Sequence, residues 1–384
     1  MIKERKNDCQ GWIKELHRIL CMQGGDDDVS YARNSEGPAM ALRLSRPLIT
    51  EGIRSMELFK GEDSLRIADL GCATGYNTLA AMDCVVDTLR SRYHQDFGYQ
   101  PEIQAFFSDL PSNDFNSLFR LLPPMILSHN DNDDDHYAEE TRDYYAAGVP
   151  GSFYYRLFPK GKLHVVLNTG DGVGQGFTGI QQGRAWIEGA RKEVLEAYAR
   201  QSEEDLKAFL QCRKEEMVKG GLLFILMAGR SHPQREDQLG DPDTRAKHPF
   251  TSSMDQAWQD LLDEGLIDEE TRDKFNIPAY MRSTDEVMEA FNQCNGFDVK
   301  KLEFKRIEEH TEEKQQEWIS DPVSYGRTKA NLVRATLKPI VQAHVGRMLS
   351  EELFKRFEKI VSGDEEMLHK TCFYGVIVVR AVRK

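Results

Sequence analysis

The chain has 384 residues, 40% of them hydrophobic. That suits one large domain or a domain with a sizeable insertion, because single cores stop growing at roughly 250–300 residues. A formal net charge of −13 opposes a general nucleic-acid or membrane-surface role, since both partners are polyanions, and leaves a small-molecule partner as the expectation.

The N-terminal MIKERKNDCQGW lacks an apolar signal core, and no window reaches the ~18 apolar residues of a membrane span, so a soluble cytoplasmic protein is expected. Residues 65–70, LRIADL, form an apolar run closed by Gly71-Cys72-Ala73-Thr74-Gly75, after which Leu79, Met82, Val85, Val86 and Leu89 recur at helical spacing. The pattern is strand, tight glycine turn, helix. Residues 103–107 alternate into a second strand ending at Ser108-Asp109, and 163–167 give a third, followed by the glycine-rich GDGVGQGFTG of 170–179. A helix over about 203–218 stops at Gly220-Gly221, and 222–226 read as a buried strand. Between 231 and 360 the pattern turns helical, over 255–266, 283–291 and 331–357 with a break at Pro339. Residues 372–380 form one more strand. Strands alternating with helices predict an α/β, Rossmann-like, mostly parallel sheet covered on both faces, with an α-helical insertion laid over it. The acidic stretches 26–28 and 131–135 read as solvated loops. Seven cysteines are scattered without CxxC pairing, Cys9 and Cys372 among them, which speaks for reduced thiols rather than a disulfide framework or a zinc site.

Open α/β sheets bind ligands at the carboxyl ends of their strands, where glycine turns let the backbone approach and a helix N-terminus offers N–H donors. Asp69, Gly71, Gly75 and Asn77 stand there, after the first strand. The second strand ends in Asp109, an acid placed to accept both ribose hydroxyls of an adenosine. The turn departs from G-x-G-x-x-G and lacks basic residues for a pyrophosphate, which favours a nucleoside without phosphates; S-adenosylmethionine fits best. On these residues alone an ordinary strand-to-helix turn with structural glycines stays open.

Longer motifs follow one another in order: MQGG at 22–25, SYARNS at 30–35, ADLGCATGYN at 68–77, DLPSNDFN at 109–116, GVPGSFY at 148–154, RLFP at 156–159 and DKFNIP at 273–278. Over nearly its full length the chain resembles the SABATH carboxyl and N-methyltransferases. The resemblance implies a class I methyltransferase sheet with a helical cap over the substrate pocket, and a homodimer. Residues 1–230 with 361–384 would form the cofactor domain and its N-terminal cover, and 231–360 the mainly helical cap with some core elements. It places Ser35, the turn from Asp69 to Asn77, Asp109, Leu110, Ser152 and Phe153 around S-adenosylmethionine, with Phe153 against the adenine. Tyr31 would lie near the sulfonium methyl and the substrate, and Phe250, Thr251 and Trp258 would line or support the pocket. The implied reaction converts a small-molecule carboxylic acid to its methyl ester. A carboxylate, with a reference pKa near ~4, is already a nucleophile at neutral pH, so no catalytic acid or base is expected and His164 reads as a core residue.

The chain also departs from the family. Its carboxyl methyltransferases commonly hold the substrate carboxylate between a glutamine and a tryptophan; these positions are Pro38 and Gly174 here, and an aromatic position before the second is Gly170. The lysine often seen in the first glycine motif is Gln23. The favoured expectation is a carboxyl methyltransferase with rebuilt anion recognition, for which Arg33, Arg184, Gln175 and the main-chain amides at Gly170 and Gly174 are candidates. The loss of aromatic bulk would suit a larger or more polar acid, including a dicarboxylic one. The alternatives are an N-methyltransferase of a heterocycle and a non-catalytic, cofactor-binding partner subunit. Asp273 and Asn276 match positions near a magnesium ion in some members, but no full set of oxygen ligands is evident and no required metal is expected.

Overall fold

A computed structural model describes residues 21–25, 27–125, 141–169, 185–187, 189–236, 238, 251–308, 310–369 and 373–384. The strands are β1 (Ser64–Leu70), β2 (Glu102–Asp109), β3 (Tyr145–Pro150), β4 (Leu163–Asn168), β5 (Met217–Ala228), β6 (Phe297–Glu308) and β7 (Phe373–Arg383). They form one seven-stranded sheet in the order β3-β2-β1-β4-β5-β7-β6. The first five run parallel, while β7 is antiparallel to both β5 and β6. The strand order reverses between β1 and β4, and such a switch point opens a crevice at the carboxyl ends.

Period-two alternation divides the core between two faces. Ile67, Val165, Leu167 and Phe224 join α1 (Glu36–Ser55) and α2 (Tyr76–Phe97) on one side. Ala68, Val166, Leu223 and Ile225 face the other, where Leu206, Phe209 and Phe291 come from further helices. The helices following α2 are α3 (Phe115–Arg120), α4 (Lys192–Glu216), α5 (Ser252–Asp263), α6 (Glu269–Lys274), α7 (Thr284–Cys294), α8 (Glu312–Ser320), α9 (Pro322–Ser362) and the single turn α10 (Glu365–Leu368). The apolar residues predicted to repeat on α2, Leu79 through Leu89, are all buried. A separate cluster, including Trp258, Phe275, Trp318, Leu337 and Phe354, joins α5, α8 and α9 into a cap with its own core.

Two details differ from the sequence reading. α9 does not break at Pro339; the non-helical residue within it is Gly346, at φ 79° and ψ 171°. Within the stretch expected to be helical, β6 is a full strand of the sheet, and α7 packs beside it and α4. The acidic stretch 131–135, Cys9 and Cys372 lie outside the described residues.

Candidate active site

The end of β1 builds the first half of the site. Asp69 is fully buried; Thr78 Oγ1 donates to its Oδ2 at 2.5 Å, while its Oδ1 is buried without a partner. Burial pushes its carboxyl up to about 7, the Thr78 hydrogen bond opposes that rise, and the nearby Asp109 charge adds to it. Gly71 takes φ +84°, and the Phe153 ring lies just beyond it. Gly75, at φ +146°, precedes α2, and a Cβ there would come within 3.2 Å of Ala32 Cα. Asp109 is pre-oriented: Ala73 N–H donates to Oδ2 and Leu110 N–H to Oδ1, each at 2.7 Å. Burial raises its carboxyl above the usual range and the two amides hold it down. Asn113 donates to the Ala73 carbonyl at 3.1 Å, and Asn77 donates to Ser35 Oγ at 3.1 Å, tying the N-terminal segment to α2.

A chamber of about 250 Å³ opens beside this turn. The N-terminal segment contributes Met22, Tyr31, Gly37 and Pro38, the strand ends Asn168 and Met227, and the cap Ile277 and Leu337. Phe153 lines it and contacts Phe209 of α4 edge-on, at 5.8 Å between ring centres. An unpaired buried carboxylate oxygen, a glycine-cleared backbone and an aromatic face fit the ammonium, ribose and adenine of S-adenosylmethionine, with space alongside for a second molecule.

The profile of the SAM dependent carboxyl methyltransferases matches residues 17–384. The chain belongs to this family. It is 51% identical over 380 residues to gibberellic acid methyltransferase 2 of Arabidopsis thaliana, covering 96% of this chain and 95% of the relative. Gibberellic acid methyltransferase 1 of the same plant is 50% identical over 384 residues, covering 96% and 99%. Among solved structures, a loganic acid methyltransferase with S-adenosylhomocysteine aligns at a TM-score of 0.75 and 26% identity, covering 94% of this chain and 99% of that one. The protein is therefore a SABATH methyltransferase that uses S-adenosylmethionine to convert small carboxylic acids to methyl esters.

For this methyltransferase the fold brings Ser35, Asp69, Gly71, Gly75, Asn77, Asp109 and Leu110 around one turn, and sets Ser152 and Phe153 on the loop after β3. Tyr31 and Thr251 line the chamber. Arg33 and Trp258 do not. Arg33 is an exposed side chain paired with Asp28 at 3.1 Å, and Trp258 is 2% exposed, packed on Phe275 at 4.7 Å inside the cap core. Gly170, Gly174, Gln175, Arg184 and Phe250 lie outside the described residues. His164 is buried, accepts the Arg66 amide on Nδ1 at 3.0 Å, and is pushed down to about 4 chiefly by burial. Among the described residues no cluster of three or more His, Cys, Asp or Glu could hold a metal ion.

Sequence reasoning missed the brace behind the cofactor loop. Arg213 and Glu216, both wholly buried on α4, pair at 2.7 Å. Arg213 also donates to the carbonyls of Phe153 and Tyr155, while Glu216 Oε1 accepts the amides of Leu157 and Phe158. An Arg three residues before a Glu on a charged helix carries no signal that separates this pair from a solvated one.

Proposed function

We propose that the acid is bulky and multi-ringed, of the gibberellic acid type, and is esterified at its carboxylate. The observation that carries the reading is near-full-length likeness, at half of all positions, to two gibberellic acid methyltransferases. The chamber supports it: Pro38 stands where a glutamine would narrow the pocket, beside Gly37 and Ala41, and Ile277 and Leu337 add apolar walls. Burying rings against such walls is worth roughly 25 cal/mol per Å².

S-adenosylmethionine supplies, when bound, a methyl group on an electron-poor sulfur. The chain's part is placement. Asp69 would meet the ammonium, Asp109 the ribose hydroxyls and Phe153 the adenine, which fixes where the methyl points. Tyr31 and the chamber walls hold the acid in line with it and keep water out, so no group of the chain needs to take a proton. The test is a methyl-transfer assay with labelled cofactor against gibberellic acid, small aromatic acids and purines. Base-labile volatile counts with gibberellic acid are expected; counts confined to aromatic acids, or base-stable counts, would sink the reading. We further propose a homodimer, on the family resemblance, which light scattering showing only monomer would exclude. A cytoplasmic location is proposed as well, supported by free thiols at Cys21, Cys72, Cys84, Cys212 and Cys294; a fluorescent fusion confined to another compartment would refute it.

A further inference from the structure

The chamber is lined by apolar and neutral polar groups with one exception. Among the described lining residues, Arg282 alone is charged. It lies in the segment between α6 and α7, and its carbonyl accepts the Arg230 amide at 2.8 Å, which fastens the segment to the end of β5. Its guanidinium is poorly satisfied. Nη2 donates to the Ser202 carbonyl at 3.0 Å, Nη1 reaches the Met227 thioether at 3.9 Å, the Tyr154 hydroxyl also accepts from the guanidinium, and Nε is buried without a partner. The Tyr154 phenol lies beside it, and the Asp205 charge acts on that same phenol. Asp205 itself accepts from Gln201 at 2.8 Å. A guanidinium has five N–H donors, and one carbonyl, one thioether and one phenol leave Nε among them unmet, which is unfavourable unless a ligand completes the set.

We propose that Arg282 recognises a second oxygen function of the substrate, a carbonyl or carboxylate remote from the carboxylate that is methylated. The inference rests on the substrate class proposed above. Its geometry argues for the remote group. Arg282 bridges Gly229 just past the end of β5, on the side away from β7, whereas the Phe153 ring that lines the same chamber lies against Gly71 of the cofactor turn after β1. A guanidinium gripping the reacting carboxylate would also draw charge from the attacking oxygen, whereas one at the far end orients the molecule without weakening the nucleophile.

The experiment compares gibberellic acid, which carries a lactone carbonyl besides its carboxyl, with a multi-ring monocarboxylic acid of similar size and no other oxygen. Wild type, Arg282→Met and Arg282→Lys are assayed, with S-adenosylhomocysteine binding checked in each to confirm folding. In Arg282→Met the ratio of kcat/KM for gibberellic acid over the plain acid should fall about tenfold or more, mainly through KM, and Arg282→Lys should recover part of it. Equal losses on both acids, or an unchanged ratio while wild type still methylates gibberellic acid, overturn the role of Arg282 alone. Wild-type turnover of the plain acid but not of gibberellic acid overturns the substrate class together with it.

Discussion

Asp69 holds one carboxylate oxygen against Thr78 and keeps the other buried and unpaired. An unfolded carboxyl ionises near 3.8, and this one is pushed up to about 7 by burial, so the folded chain binds the proton more tightly. The stability it contributes is present at acid pH and is lost as pH rises from about 4 to 7. An ammonium against Oδ1 favours the ionised form and expels that proton. Affinity for S-adenosylhomocysteine should therefore rise with pH, by up to about tenfold per unit below 7, and level off above it. Asp69→Asn should flatten the profile; calorimetry showing the wild type equally flat would refute the assignment. Asp69 and Asp109 were legible in the sequence because each closes an apolar run at a strand end. Arg282 was not, since its neighbours Tyr154, Ser202 and Met227 are far apart in the chain and meet only when α4 packs on β5.

Among elements, the loop after β3 depends on α4. Arg213 and Glu216 share one buried ion pair and hold four main-chain groups of residues 153–158. Removing one partner strands the other charge away from water, so Arg213→Met should destabilise by about 3–5 kcal/mol and weaken cofactor binding. Arg213→Met combined with Glu216→Leu should regain part of the stability, as denaturant unfolding would show. Equal losses in the single and double variants would mean the pair acts only by filling space. Strands buried on both faces, β1, β4 and the end of β5, announce themselves as apolar runs. The edge strands do not: β3 is YAAGVP, mostly exposed, and β6 alternates Lys, Glu and Arg with half-buried apolar residues. Pro339 misled in the other direction, because a long helix carried by the cap core tolerates one missing hydrogen bond.

At the scale of the molecule, the N-terminal segment joins sheet and cap. The Gln23 amide donates to Ala335 of α9 at 2.8 Å, and the Gly25 amide to Asp114 at the start of α3 at 3.2 Å. A methyl group on Gly24 would meet Asp114 Cβ at 2.6 Å, nearer than the packing allows. Gly24→Ala should lift the segment and lower S-adenosylhomocysteine affinity about tenfold with the circular dichroism unchanged; unaltered affinity would count against the segment as the cofactor's cover.

That one run of backbone borders two places at once. Ala32 closes over the Gly75 turn, while Met22, Tyr31 and Pro38 wall the chamber. A segment shared between the two sites couples them, so cofactor and acid are expected to raise each other's affinity by the same factor, as calorimetry of each with and without the other would show. The expected kinetic consequence is ordered addition, cofactor before acid, with the ester released before the spent cofactor; product-inhibition patterns of random order would exclude it.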